Sequence, residues 1–199
     1  MKLLVTGFEP FGGEDCNPSW EIAAGLPDRV GDWALVKLRL PTVYGLAGAM
    51  VLDAMGWERP GAVLCLGQAG GRDAVTPERV AINVCDSPAP DNGGTVLMDQ
   101  PIAPGGPAAY FTTLPNGAMV RAMEAAGVPA RISNTAGTFV CNDLLYRVLR
   151  EIDTKKLSVR AGFVHVPYLP RQAAGRNVPA MPLSRMAAGL TAAIGALSG

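Results

Sequence analysis

His165 is the only histidine in the 199-residue chain, so any imidazole acid/base chemistry must run through it. That count removes a site built on several histidines and a two-histidine metal clamp. The residue lies in AGFVHVPYLP, an apolar run ending at Pro167, which places it near the end of a buried strand. On that segment alone a satisfied core histidine is the simpler reading, and only a nucleophile elsewhere changes the balance. Cys141 is the strongest such candidate. It follows SNTAGT, a polar, glycine-containing turn of the kind that leads from a strand into a helix, and falls in the first turn of the helix expected there. The helix dipole and free N–H groups at that position favour the thiolate, the reactive form of cysteine. The same N–H groups could hold an oxyanion developing on a carbonyl. Thiol and imidazole are expected at the ends of neighbouring strands of one βαβ unit, hence at one edge of a sheet. A third group, normally a carboxylate, should accept from the second ring nitrogen. The residues by themselves leave Glu78, Asp73, Asp86, Asp143 and Glu9 open for that role.

Two glycine clusters, GFEPFGG and GQAGGR, supply a rival reading, because phosphate-binding loops also follow strands. Neither matches GxGxxG or GxxxxGK[ST], and no lysine stands where a P-loop needs one. An α/β enzyme acting on a nucleoside or phosphorylated sugar is therefore the weaker alternative. The four cysteines, Cys16, Cys65, Cys85 and Cys141, form no CxxC, and one histidine cannot complete zinc-finger spacing, so no metal site is expected. Scattered cysteines without a secretory leader suggest reduced thiols in a cytosol, with Cys65 in AVLCLG a small buried hydrophobe.

Lys plus Arg equals Asp plus Glu at 17 each, which gives no basic excess for nucleic acid or an anionic membrane. The opening MKLLVTGFEPFGG is too brief for a secretory core and reads as a first strand. MAAGLTAAIGAL, Met186 to Leu197, is far short of the ~18 residues of a membrane span and reads as a final packed helix. A cytoplasmic location is expected.

These residues need a scaffold, and the apolar patterning indicates one. Strands are expected at Lys2–Thr6, Ala34–Leu40, Ala62–Leu66, Val80–Val84, Ala130–Ser133 and Gly162–Val166. Helices are expected at Pro18–Gly25, Val43–Met55, Asn116–Ala126, Thr138–Ile152 and Leu183–Leu197. Leu144, Leu145, Val148, Leu149 and Ile152 repeat with a helical period, and Gly127 and Pro129 punctuate the helix before. This alternation predicts a single-domain three-layer α/β/α sandwich over 1–199 with a mostly parallel twisted sheet. Ligands of such sheets bind beyond the carboxyl ends of the strands, where nearly all the reactive-looking residues fall. Ser87 to Pro107, rich in Pro and Gly, reads as a flexible loop, best suited to a flap over the site.

Taken together, LLVTGFEPFGG with NPSWE, GQAGGR followed by TPERVAIN, SNTAGTFVCN and GFVHVPYLP resemble the pyrrolidone-carboxylate peptidase (pyroglutamyl peptidase I) family of cysteine peptidases. The blocks run from residue 3 to 172 in the family's order, with a weaker C-terminal helix. The resemblance implies removal of N-terminal pyroglutamyl residues from peptides. It places the nucleophile on Cys141, the base on His165 and the orienting carboxylate on Glu78, among the acids left open above. It puts ring-binding positions on Phe8, Phe11 and Phe139, and polar lactam contacts on Asn17 and Gln68. No cofactor is implied, and a homo-oligomer, dimer or tetramer, is. The types suit a flat lactam without an ammonium: aromatic faces for the ring and amides for its C=O and N–H. One departure stands out. The family carries an Arg in ARIPDN, thought to help hold the oxyanion, whereas SPAPDN here has Pro88 at that position and Ala89 beside it. The oxyanion must then lean on backbone N–H groups near Cys141 or on another arginine, such as Arg72 or Arg79. That departure also admits a pyroglutamyl-binding homologue without turnover.

Overall fold

The computed structural model describes residues 1–198. From the N-terminus, β1 (Lys2–Phe8) leads to α1 (Pro18–Gly25), the short β2 (Arg29–Val30) and β3 (Trp33–Leu40), then α2 (Leu46–Glu58) and β4 (Ala62–Gln68). Five short strands follow: β5 (Thr76–Pro77), β6 (Val80–Ile82), β7 (Cys85–Ser87), β8 (Leu97–Gln100) and β9 (Ala109–Phe111). Helices α3 (Asn116–Ala125) and α4 (Val140–Thr154) precede β10 (Arg160–Val166), and the single turn α5 (Pro170–Ala173) precedes α6 (Leu183–Gly195). The main sheet has the order β2-β3-β1-β4-β10-β5. Its four central strands are mutually parallel, with β2 and β5 antiparallel at the edges.

Strand side chains alternate between the two faces of a sheet, and here that alternation builds two separate cores. Leu3 and Val5 of β1, Leu64 and Leu66 of β4 and Val164 and Val166 of β10 face one way, against α1, α3 and α6. Leu4, Val63, Cys65, Ala161 and Phe163 face the other, against α2 and α4. With helices on both faces, the chain is the expected three-layer α/β/α sandwich. The same parity puts Gly67 and His165 on the α4 face, each two residues beyond a member of that core. Among the described residues no helix is long and apolar enough to cross a membrane.

Two expected strands fall elsewhere. Ala130–Ser133 forms only isolated parallel bridges, Ala130 to Val75 and Ser133 to Glu78. Its backbone still bonds to that segment, Ser133 N to Pro77 O and Arg79 N to Ser133 O, but Pro77 lacks the N–H that a regular ladder would use. The run therefore follows β5 at the sheet edge and does not form the strand of a βαβ unit. Val80–Ile82 lies outside the main sheet and pairs antiparallel with β9. Residues 87–107 carry β8, which pairs with β7. They are tied down where Asn92 Nδ2 donates to Glu9 Oε1 (2.8 Å) and where Asn83 exchanges two bonds with Ala103 (both 2.9 Å).

Candidate active site

The active-site geometry starts from β10 and β4, whose register sets His165 opposite Gly67. A Cβ on Gly67 would lie 2.6 Å from the Phe163 ring and 3.0 Å from Cys141 Sγ, so only glycine admits the thiol there. Parallel neighbours lie roughly 4.8 Å apart, and Cys141 and His165 accordingly line one cleft of about 350 Å³. Phe163 packs beside the imidazole with ring centroids 4.7 Å apart.

Behind the ring, His165 Nδ1 lies 2.7 Å from Glu78 Oε1. An ionised carboxylate only accepts, so Nδ1 carries the proton and Nε2 keeps its lone pair. Arg72 Nη1 donates to the same oxygen at 2.6 Å and also to Thr76 Oγ1, while its Nη2 donates to Thr135 O at 3.2 Å. Of the acids that the sequence left open, only Glu78 reaches the ring. Asp73 pairs with Arg131 at the surface, Asp86 is exposed, and Asp143 binds Gly45 N and Arg147 Nε. Glu9 accepts from Thr42 N and Asn92 Nδ2.

Burial acts on all three protonation states, against or alongside neighbouring charge. It opposes the charge on Glu78, but the contacts of His165, Ser133 and Arg72 outweigh it and hold this carboxyl below its usual range. Burial pushes the imidazole of His165 down, with Glu78 pulling the other way. It pushes the Cys141 thiol up to about 12, reinforced by the negative charge of Glu78. At neutral pH the thiol and the ring are thus both neutral. The thiolate expected from the helix start is not the resting form. The macrodipole contributes about 0.3–1 kcal/mol, less than one pKa unit, and desolvation exceeds it.

The helix start still offers donors. Asn142 N and Asp143 N bond to Phe139 O (3.0 and 3.2 Å), whereas among the described residues Val140 N and Cys141 N have no backbone acceptor. Pro88 is exposed and outside the cleft lining, as is Arg79, so of the two arginines named above only Arg72 reaches the cleft.

The other end of the cleft is apolar and amide-lined. Phe8, Phe11, Phe139 and Thr42 all border it. Phe8 packs on Phe163 at 6.4 Å, Phe11 on Phe139 at 6.2 Å, and Tyr44 meets Phe139 edge-on at 5.3 Å. Asn17 and Gln68 also line it, but they are committed differently. Asn17 is first the N-cap of α1: Oδ1 accepts from Ser19 N (3.1 Å) and Ser19 Oγ (2.8 Å), and Nδ2 donates to Glu9 O (3.0 Å). Gln68 Oε1 accepts from Gln172 Nε2 at 2.9 Å. No acidic side chain stands in the lining. Gly70 closes the rim, because any Cβ there would fall 2.1 Å from the Tyr168 ring. None of residues 87–107 lines the cleft.

Sequence reasoning missed Thr42, Tyr44 and Gln172. Thr42 and Tyr44 fall in the turn before α2, which begins at Leu46 and not at Val43 as expected, and Gln172 in a helix of one turn, so no pattern marks them. Arg72, read only as a possible oxyanion donor, is instead bonded to Glu78.

A family model described as pyroglutamyl peptidase matches residues 1–199. A pyrrolidone-carboxylate peptidase of Levilactobacillus brevis is 50% identical over 198 residues, 99% of this chain and 97% of that protein. One from Thermococcus kodakarensis is 47% identical over 98% of this chain and 94% of its own length. Among solved structures, the pyroglutamyl peptidase I of Bacillus amyloliquefaciens superposes with a TM-score of 0.96 at 42% identity, covering 99% of this chain and 96% of that one. A pyrrolidone carboxyl peptidase variant from Pyrococcus furiosus gives 0.94 at 38% identity over 100% of this chain and 98% of that chain.

Proposed function

The chain belongs to the pyroglutamyl peptidase family, and from that premise we propose how its own residues carry the reaction. It is a cysteine exopeptidase that removes N-terminal pyroglutamyl residues from peptides through an acyl-enzyme. Cys141 is the nucleophile, His165 the general base and Glu78 the carboxylate that orients it. Because thiol and ring rest neutral, the proton moves as the bond forms: Sγ attacks the pyroglutamyl carbonyl while Nε2 takes its hydrogen. The imidazolium then lies against Glu78, which keeps its charge. His165 next protonates the departing amine, and water cleaves the thioester with the same base. Val140 N and Cys141 N hold the oxyanion in place of the arginine that Pro88 replaces. The reading needs no metal or organic cofactor.

Phe8, Phe11 and Phe139 enclose the lactam ring, and Gln68 donates to its carbonyl with Asn17 at the same wall. An unmodified N-terminus would bring an ammonium into a lining without an acid, which excludes it. Residues 1–199 act as one catalytic domain. Four free thiols suit a reducing cytoplasm. Leu46 and Trp57, 50% and 85% exposed on the outer face of α2, suit assembly into a dimer or tetramer.

The observation that carries this reading is the 2.7 Å contact of His165 with Glu78 in the cleft that Cys141 lines. Release of an aryl amine from a pyroglutamyl-aryl amide tests it. Cys141→Ser and His165→Ala are each expected to lose about 10³-fold or more in kcat/KM. Comparable turnover by wild type and both variants would end the assignment.

A further inference from the structure

A carboxamide has a donor end and an acceptor end of nearly the same shape, so the way it faces decides what it recognises. Gln68 lines the cleft, and its orientation is settled by Gln172, which is itself buried. Leu169 N, which can only donate, lies 3.0 Å from Gln172 Oε1. The opposite end of Gln172 faces groups that only accept: Cys16 O and Glu14 Oε2, each at 3.4 Å. These partners leave one assignment, with Gln172 Nε2 as the donor to Gln68. The atom of Gln68 that it meets at 2.9 Å must then be the oxygen. What remains for the cleft is the Gln68 amino group, which has no protein acceptor among the described residues.

We propose that Gln172 is a positioning residue that passes the polarity of the Leu169 N–H to Gln68, so that the ring subsite presents a hydrogen-bond donor to the lactam carbonyl. The proposal rests on the reading of Gln68 as a lactam contact. It adds that the choice of donor over acceptor is fixed by a main-chain group on the far side of the subsite wall. Without it, Gln68 could rotate its amide and offer an oxygen to the lactam oxygen, which repels it. A carboxylate at 172 would go further. One oxygen would take the Leu169 N–H, the other would demand the Gln68 amino group, and Gln68 would present its oxygen to the ring.

Gln172→Glu, Gln172→Met and Gln68→Met decide the matter. Each is assayed for KM and kcat on a pyroglutamyl-aryl amide and for Ki of the bare lactam 2-pyrrolidinone, with thermal melts to establish folding. In Gln172→Glu, KM and Ki should both rise about tenfold or more while kcat stays within about threefold. Gln172→Met should shift the same way by less. Wild-type KM and Ki in a folded Gln172→Glu would overturn the proposal, and if that variant does not fold, wild-type values in Gln172→Met would do so. Higher KM and Ki in Gln68→Met alone would overturn the relay and leave the lactam contact standing. Unchanged values in Gln68→Met would instead remove the lactam contact on which the relay depends.

Discussion

The two ends of the cleft are built from opposite materials. At one end Cys141, His165 and Glu78 form a run of ionisable groups in which burial and neighbouring charge set each proton affinity, with Arg72 paired to Glu78. At the other, Gln68, Gln172 and Asn17 are neutral amides near phenylalanines, and in the proposed binding of the lactam what matters is which atom faces the ring and how the aromatic rings close around it. On the proposed mechanism the first end controls where a proton resides, the second which group fits. Substitutions should therefore separate: changes among the ionisable groups appear in kcat, changes among the amides and rings in KM.

The sharpest way to break this division is at Glu78. Glu78→Gln keeps the shape but removes the charge that an imidazolium needs, and its amide can donate to Nδ1 and so favour the wrong tautomer. A loss of about 10²–10⁴ in kcat with KM within a few-fold is expected in steady-state kinetics. A change confined to KM would place Glu78 with the binding end. A smaller effect is expected at Phe139, whose ring meets both Phe11 and Tyr44. Phe139→Ala should raise KM about ten- to thirtyfold with a lesser change in kcat, as one wall of the ring subsite opens. An equal fall in kcat alone would place the ring with the chemistry.

The smallest effect concerns pH. His165 must be neutral to accept a proton, and its pKa lies below the usual 6.5. The acid limb of kcat/KM should thus fall below pH 6.5, with a plateau through about pH 9 because the thiol does not ionise until near 12. Stability should follow the same sign. In the unfolded chain the ring binds its proton at a higher pH than in the folded one, so acidification below about 6.5 favours unfolding. Glu78, whose folded pKa is lowered, adds stability above its unfolded value that is lost as pH falls through the folded one. A melting temperature that rises on acidification through this range would contradict both.

How much of this was readable beforehand follows the same division. Strands such as β1, β4 and β10 carry long apolar runs, and α1 opens on Asn17 and Pro18, so the scaffold and the position of His165 follow from pattern. Cys141 follows from the turn before α4, although its protonation state does not, since burial by distant segments determines it. Glu78 was one acid among five on local pattern. It sits just past a two-residue strand, and apart from the family resemblance it is the tertiary bridge to Ser133 and the ring of His165 that single it out. Ala130–Ser133 misled because its composition suits a strand, whereas its neighbour Pro77 breaks the ladder. Gln172 could not be read at all: its partners Glu14, Cys16 and Gln68 lie more than a hundred positions away in sequence.

The central claim is that the sulfur of Cys141 becomes covalently joined to the pyroglutamyl group during turnover. Acid quenching of the enzyme during hydrolysis of a pyroglutamyl ester, followed by proteolysis and mass spectrometry, tests it directly. The account predicts a pyroglutamyl adduct on the peptide that contains Cys141, absent when Cys141→Ser is treated in the same way. An active enzyme whose adduct resides on Cys16, Cys65 or Cys85, or the same adduct in Cys141→Ser, would contradict it.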